Sequence, residues 1–191
     1  MDRNTFLATV LRNNVNEAIV DAIFSLALPD AWLVSGCLVQ TVWNVLTGRA
    51  SDYGIRDYDV FYFDPDTSWQ AEDAVIRKLQ DRLTHLGAKI EIRNQARVHL
   101  WYAQKHGLSY PALRNATEGI DRFPTKTTQV GICRSRTGHE LYAPEGLGDI
   151  AQLIVRPNPS PNFSAAAYTA KAMRWKELWP ELTIVPADPA D

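Results

Sequence analysis

The sequence predicts an α+β fold in which helices flank a mixed β-sheet. Short runs of β-forming residues alternate with longer segments of helical apolar spacing, and the clearest runs lie at 31–34, 58–63 and 89–93. A polar turn inside 130–142 separates two further strand-like runs, which is typical of a β-hairpin. With 191 residues, of which 46% are apolar, the chain can bury a core without disulfide bonds.

The first elements surround a short apolar run. Apolar residues in 5–27 have helical spacing, which a break near Asn13 divides into two helices. The apolar run 31–34 predicts a buried strand. Residues 38–46 again have helical spacing, and Gly48 stands where a helix commonly ends in the left-handed conformation.

The middle of the chain repeats this alternation. The aromatic and β-branched run 58–63 predicts a strand, and 69–86 returns to helical spacing. Residues 89–93 alternate between polar and apolar, as in a half-buried strand. We expect a further helix at 96–106.

The C-terminal part begins with the hairpin strands 130–134 and 140–142. Helical spacing then predicts helices at 147–155 and 165–178. The proline-rich stretch 156–161 lies between them and predicts a stiff linker.

These elements predict one domain. We divide it into N-terminal helices (1–28), a catalytic α/β core (29–155), and a linker, C-terminal helix and tail (156–191). The formal net charge of −2 argues against a protein that binds bulk nucleic acid. Two cysteines are too few for a secreted disulfide framework, and no apolar run or N-terminal pattern predicts a membrane span or signal peptide, so we expect a cytoplasmic protein.

The charges are unevenly distributed along the chain. Residues 57–73 contain six acidic and no basic residues, whereas 93–136 contain eight basic and two acidic residues. An acidic stretch followed by a basic stretch suits a site that holds cations with one element and phosphate with another. Two stretches of solvent-exposed surface would give the same charge counts, and the counts alone favour that interpretation over a binding site.

Two neighbouring features could supply phosphate and metal contacts. Ser35 and Gly36 lie between a predicted strand and helix, where a missing Cβ and free helix N–H groups allow phosphate to approach. Asp57 and Asp59 are two positions apart in a predicted strand, so they share a face and could hold a divalent cation. Each feature alone is common in proteins without such a site, and their combination favours one.

These residues carry a family resemblance. The stretch from Ser35 to Arg49, followed by Asp57-Tyr58-Asp59-Val60, resembles the signature of the nucleotidyltransferase (DNA polymerase β-like) superfamily. In that signature a glycine turn and helix precede an Asp-X-Asp strand, and a third carboxylate lies on a neighbouring strand. The sequence resembles more closely a bacterial nucleotidyltransferase-like family of unassigned substrate. This closer resemblance lies at 94–102, 142–144, 146–147, 155–159 and 175–180.

The resemblance implies a nucleotidyltransferase-like sheet and a set of site residues. Asp57, Asp59 and Glu91 would be the catalytic and metal-binding carboxylates, with Mg²⁺ as the cofactor, Mn²⁺ as an alternative, and an NTP as substrate. Ser35 and Gly36 would hold the nucleotide's phosphates. Arg97, whose planar guanidinium suits phosphate, would be a further contact.

Three points stay open at the level of sequence. Cys37 follows Gly36 where the superfamily usually has a small residue. Glu91 is either the third carboxylate or an exposed side chain neutralised by Lys89 and Arg93. Lys171, Arg174 and Trp175 could close over a nucleotide, but the simpler interpretation is that Trp175 and Trp179 pack the last helix while the cations point outward.

The resulting functional prediction is metal-dependent transfer of a nucleoside monophosphate from an NTP to an acceptor hydroxyl, with release of pyrophosphate. The alternative is a binding protein that keeps the fold and holds a nucleotide or another phosphorylated ligand without transfer. A structural or assembly module is the third hypothesis. The acceptor is not predicted, and an RNA end is among the candidates.

Overall fold

The computed structural model describes residues 1–161 and 163–187. Its α-helices are α1 (Arg3–Val10), α2 (Asn14–Ser25), α3 (Gly36–Leu46), α4 (Trp69–Leu83), α5 (Val98–His106), α6 (Thr117–Ile120), α7 (Gly148–Ala151) and α8 (Ala165–Leu178). Its strands are β1 (Trp32–Val34), β2 (Tyr58–Tyr62), β3 (Ile90–Asn94), β4 (Gly131–Ser135), β5 (Gly138–Tyr142), β6 (Ile154–Val155) and β7 (Thr183–Ile184). Short 3₁₀ turns occupy Thr84–Leu86, Gln95–Arg97 and Lys126–Thr128.

The main sheet has the strand order β3-β2-β1-β4-β5. β2 and β3 are parallel, while β1 is antiparallel to both β2 and β4, and β4 and β5 form the expected hairpin. β6 and β7 form a small parallel sheet of their own. The predicted α+β architecture, a mixed sheet flanked by helices, is therefore confirmed.

The two faces of this sheet differ in chemistry. Alternate residues of β1, β2 and β3 belong to the hydrophobic core, and three of them, Leu33, Val60 and Ile92, are at most 1% exposed. α2 and α4 contribute Ile23 and Leu79 to the same core. Because side chains alternate along a strand, the residues between these positions point to the opposite face, which we call the open face.

The predicted break in the N-terminal helical segment is confirmed. The first helix ends at Val10, and Asn13 caps the second, where its side chain accepts a hydrogen bond from Val15 N at 3.0 Å. Its Nδ2 also donates to Thr41 Oγ1 and Tyr58 Oη, at 3.2 and 3.3 Å. The predicted end of α3 is likewise confirmed, since Gly48 has φ +70° directly after the helix.

The predicted helix at 147–155 is wrong in most of its length. α7 ends at Ala151, because Leu153 adopts φ +57°, a conformation that a helix cannot contain. The next two residues form β6 and pair with β7, which lies more than twenty residues further along the chain. The apolar residues of 147–155 therefore belong to a helical turn followed by a strand. No pattern in the sequence predicted β7.

The last helix docks through tryptophans, as the simpler interpretation predicted. Trp175 and Trp179 are at most 2% exposed, and both rings contact Trp43 of α3 edge-to-face with centroids 5.6 Å apart. Trp179 Nε1 also donates to Asn44 Oδ1 at 2.7 Å. Asn44 in turn donates to the carbonyl of Tyr53, at 2.9 Å, so α8 and the loop before β2 are held by one side chain.

A search of the described residues for membrane spans finds no helix with the length and hydrophobicity that crossing a membrane requires.

Candidate active site

The predicted carboxylates meet at the start of β2 on the open face. Asp59 lies in β2 and pairs in register with Val34 of β1 on one side and Glu91 of β3 on the other. Asp57 precedes the strand by one residue and is two positions from Asp59, so both side chains point to the same face. The structure therefore brings the backbone positions of all three carboxylates together.

Asp59 carries the most perturbed carboxyl group of this cluster. Burial, the negative charge of Asp57 and, more weakly, that of Glu91 together raise the pKa of Asp59 to about 6. Lys171 and Arg93 oppose that rise. Asp59 is partly buried beside two other carboxylates, and a bound cation would relieve the repulsion among them.

Glu91 has both of the properties that the sequence left open. It stands beside Asp59 in register, yet its Oε1 lies 2.5 Å from Lys89 Nζ and its Oε2 lies 3.9 Å from Arg93 Nη2. The ion pair with Lys89 lowers the pKa of Glu91. The side chain is 34% exposed, so it can exchange this surface pair for another partner at small cost.

The turn before α3 has a strained backbone. Ser35 adopts φ +63° and ψ −125°, a conformation that costs a non-glycine residue on the order of 1–3 kcal/mol. Its N–H donates to the carbonyl of Val130 at 2.8 Å, which fixes the turn against the segment before β4. A Cβ on Gly36 would lie 3.1 Å from Gln40 Nε2, so little room remains at this position.

At the start of the next helix, the first N–H groups precede the intrahelical hydrogen bonds. Intrahelical bonds begin at Leu38, whose N–H donates to the Ser35 carbonyl at 3.1 Å, so the N–H groups of Gly36 and Cys37 precede them. Cys37 itself is 1% exposed, and burial raises the pKa of its thiol well above the usual value. Its Sγ points back to the Val34 carbonyl at 3.5 Å.

Arg97 forms its contacts outside the carboxylate cluster. Its guanidinium forms a hydrogen-bonded ion pair with Glu72 of α4, and its Nε donates to the Thr67 carbonyl at 2.9 Å. Glu72 also accepts from Asn94 N at 2.9 Å, so the pair fastens α4 to the end of β3. Arg97 follows that far end of β3, whereas Glu91 lies near its start, and Arg97 is therefore not among the residues that we place on the nucleotide.

Lys171 is the site residue that sequence reasoning placed incorrectly. It does not point outward with Arg174: it is half-buried, with its Nζ 5.0 Å from the centroid of the Trp175 ring. Burial lowers the pKa of Lys171, whereas the nearby Asp59 and Asp57 raise it. The helical spacing of 171, 174 and 175 did place these residues on one face of α8. The sequence did not show that this face lies near Asp59 of β2.

The chemistry of the donor set fits a hard divalent cation, since Mg²⁺ prefers carboxylate oxygens and keeps several waters. The repulsion of Asp59 by Asp57 and Glu91 supports the same fit, while Lys171, Arg93 and Lys89 compensate part of this negative charge. Within the described residues, however, no group of three or more His, Cys, Asp or Glu side chains is gathered closely enough to form a metal site. Glu91 would have to leave Lys89 before it could join Asp57 and Asp59.

We expect the carboxyl of Asp59 to titrate with a midpoint near 6 in carboxyl-detected NMR. Asp57→Asn should lower this midpoint, because it removes a negative neighbour, and Lys171→Met should raise it, because it removes the opposing cation. Asp73→Asn, at a partly exposed position of α4 that pairs with Arg77, is the matched control and should leave it unchanged. A midpoint near the ordinary aspartate value that neither variant moves would contradict this description of the cluster.

Comparisons with known proteins identify the family and the fold. A sequence model described as "Nucleotidyltransferase" matches residues 21–184. An NMR structure described as revealing a CCA-adding enzyme head domain is similar in fold, with a TM-score of 0.77, 25% sequence identity and 97% of each chain covered. No curated protein sequence gives a match.

Proposed function

The chain belongs to the nucleotidyltransferase family, and from that premise we propose that it transfers a nucleoside monophosphate from an NTP to an acceptor hydroxyl, releasing pyrophosphate. The observation that carries the proposal is the register of Asp59 with Glu91, next to Asp57 and beside the turn at Ser35. Carboxylates that could hold a cation and helix N–H groups that could hold phosphate would then meet at one end of the open face.

Each residue has a distinct role in this proposal. Asp57 and Asp59 would hold the metal, with Glu91 as a third ligand or as the group that receives the acceptor's proton. When bound, a divalent cation supplies charge neutralisation on phosphate and a lower pKa for a coordinated hydroxyl. The N–H groups that follow Ser35 would orient the β- and γ-phosphates.

The proposed transfer is a substitution at the α-phosphorus. The acceptor oxygen forms a bond to the α-phosphorus, and the bond from that phosphorus to the oxygen bridging to the β-phosphate breaks. The hydroxyl proton passes to Glu91, and pyrophosphate leaves with the bonding electrons. Most of the rate would come from positioning and charge neutralisation, as is general for transfers of phosphoryl type.

The test uses ATP labelled at either end. With Mg²⁺, wild-type protein and a small-molecule extract, [α-³²P]ATP should give a labelled product, and [γ-³²P]ATP should give labelled pyrophosphate. Mg²⁺-ATP at about 100 times its Kd should also stabilise the protein by about 2.7 kcal/mol. The other NTPs, and Mn²⁺ in place of Mg²⁺, are tested in the same way.

The binding-protein alternative is favoured by the ion pair of Glu91 with Lys89, which keeps the third carboxylate from its partners. It predicts that Mg²⁺-nucleotide raises the melting temperature while no label leaves the nucleotide with any acceptor. A structural module predicts neither stabilisation nor transfer. The melting temperature and the two labels together separate the three hypotheses.

A further inference from the structure

A second feature of the open face is a small aromatic cavity, which we call the ring pocket. Its volume is about 220 Å³. Its lining includes Phe61, Arg93, Trp101, Tyr110, Arg122 and Phe123. The walls are apolar and aromatic: the rings of Phe61 and Phe123 stack with centroids 5.3 Å apart, and α5 and the segment before α6 close the other side.

The ring pocket and the carboxylates lie along the same two strands. Phe61 is two residues after Asp59 in β2, and Arg93 is two residues after Glu91 in β3. Residues at this spacing share a face and stand about 7 Å apart along a strand. Phe61 also pairs in register with Arg93, so the floor of the pocket continues directly from the carboxylate pair.

The strand order decides which substrate the pocket can serve. β1, which leads to the turn at Ser35, lies on one side of β2, and β3, which carries Glu91 and Arg93, lies on the other. If the phosphates lie at the turn, the leaving group is on the β1 side. An incoming hydroxyl approaches from the opposite side of the α-phosphorus, which is the side of β3 and the ring pocket.

The size and charge of the pocket limit the ligand. Sites that enclose a whole drug-sized ligand usually have about 300–1,000 Å³, so 220 Å³ suits one ring system rather than a complete nucleotide. Two arginines, Arg93 and Arg122, line the cavity, and none of its described lining residues is acidic. Arginine and aromatic walls together favour a planar ring with an anionic substituent.

We propose that the ring pocket is the acceptor subsite, and that the acceptor is a small molecule with an aromatic ring, an anionic substituent and a hydroxyl. This proposal rests on the proposed function, since it assigns the acceptor of that reaction. The ring occupies the pocket, and the hydroxyl reaches back along β2 toward Asp59. The arginines in the wall pair with the anionic substituent.

The test is binding of simple aromatic probes to the full chain, followed by NMR. The probes are 4-hydroxybenzoate, benzoate and, as the non-aromatic control, cyclohexanecarboxylate. We expect the two aromatic acids to bind and to shift the indole N–H signal of Trp101. Trp101→Leu and Tyr110→Leu should each weaken their binding about tenfold, which corresponds to the loss of about 1.4 kcal/mol.

Controls separate this proposal from the proposed function. Trp69→Leu is the matched control, because Trp69 is 61% exposed on α4, and it should bind the probes as wild type does. Stabilisation by Mg²⁺-ATP should be unchanged in Trp101→Leu and Tyr110→Leu. Probe binding without any response to Mg²⁺-ATP would support the pocket and contradict the nucleotidyl transfer.

Three results would overturn the proposal. The first is equal binding of cyclohexanecarboxylate and benzoate, or no binding of either. The second is loss of Mg²⁺-ATP stabilisation in Trp101→Leu, which would make the cavity a pocket for the nucleotide's own base. The third is displacement of the aromatic acids by the 3′ end of a short RNA oligonucleotide at lower concentration than by any of the small probes, which would assign the subsite to RNA.

Discussion

Replacing Asp59 by asparagine is expected to lower the rate of nucleotidyl transfer by about 1,000-fold while the fold is kept. The carboxylate that holds the cation and balances the phosphates is lost, and such charge stabilisation is worth several kcal/mol at about 1.4 kcal/mol per factor of ten. Asparagine has nearly the same shape, so the packing around β2 should not change. Stabilisation by Mg²⁺-ATP should be lost together with the activity.

The same variant should be more stable than wild type at pH 7. Burial raises the pKa of Asp59 from 3.8 to about 6, so the folded state binds this proton more tightly than the unfolded state does. Stability therefore falls as pH rises from about 4 to about 6, and the full penalty is present above that window. Asp59→Asn removes the titrating group, so its advantage should appear at pH 7 and vanish near pH 4.

The control is Asp73→Asn on α4, where the carboxylate forms an exposed i,i+4 ion pair with Arg77. It removes a charge from the same acidic stretch but should change stability by less than about 0.5 kcal/mol and leave activity intact. Activity is followed by release of labelled pyrophosphate, and stability by thermal unfolding at both pH values. Full activity in Asp59→Asn would refute the proposed role of this residue.

Much of the site could be predicted because its signals are local. Asp57 and Asp59 share a face through the period of a strand, and Glu91 alternates with buried isoleucines in the same way. The turn at Ser35 lies between a short apolar run and a helical pattern, so its position could also be predicted. What no local pattern reveals is that β2 and β3 are parallel neighbours, which brings Asp59 and Glu91 into register.

The features that sequence reasoning missed depend on contacts between distant segments. Lys171 reaches the carboxylates only because α8 docks on α3, more than a hundred residues away. Arg97 looked available for phosphate, but its partner Glu72 belongs to a helix 25 residues earlier. The ring pocket combines Phe61 of β2 with Phe123, and neither the spacing nor the composition of these segments indicates that they stack.

Replacing Trp43 by alanine should cost about 3–5 kcal/mol of folding free energy, the usual range for removing a buried tryptophan ring. Trp43 is 0% exposed and makes edge-to-face contacts with both Trp175 and Trp179, so the cavity lies where α3 and α8 meet. In a chain of this size, each kcal/mol lowers the melting temperature by about 2–4 °C. We therefore expect a decrease of about 10 °C.

Trp43→Phe is the matched control for this prediction. Among the described residues, Trp43 Nε1 is buried and has no hydrogen-bond partner, so phenylalanine keeps an aromatic ring and removes an unsatisfied donor. The loss of stability should therefore be clearly smaller than in Trp43→Ala. Equal losses in the two variants would show that the shape of the indole, rather than the removal of a ring, decides the stability here.

The alanine variant should also change the candidate site. Lys171 lies on the helix that Trp43 anchors, and its charge opposes the rise in the pKa of Asp59. If the cavity loosens α8, the opposing charge weakens and the NMR titration midpoint of Asp59 should move above 6. An unchanged midpoint in a destabilised Trp43→Ala protein would mean that α8 holds Lys171 in place through other contacts, such as the bond between Trp179 and Asn44.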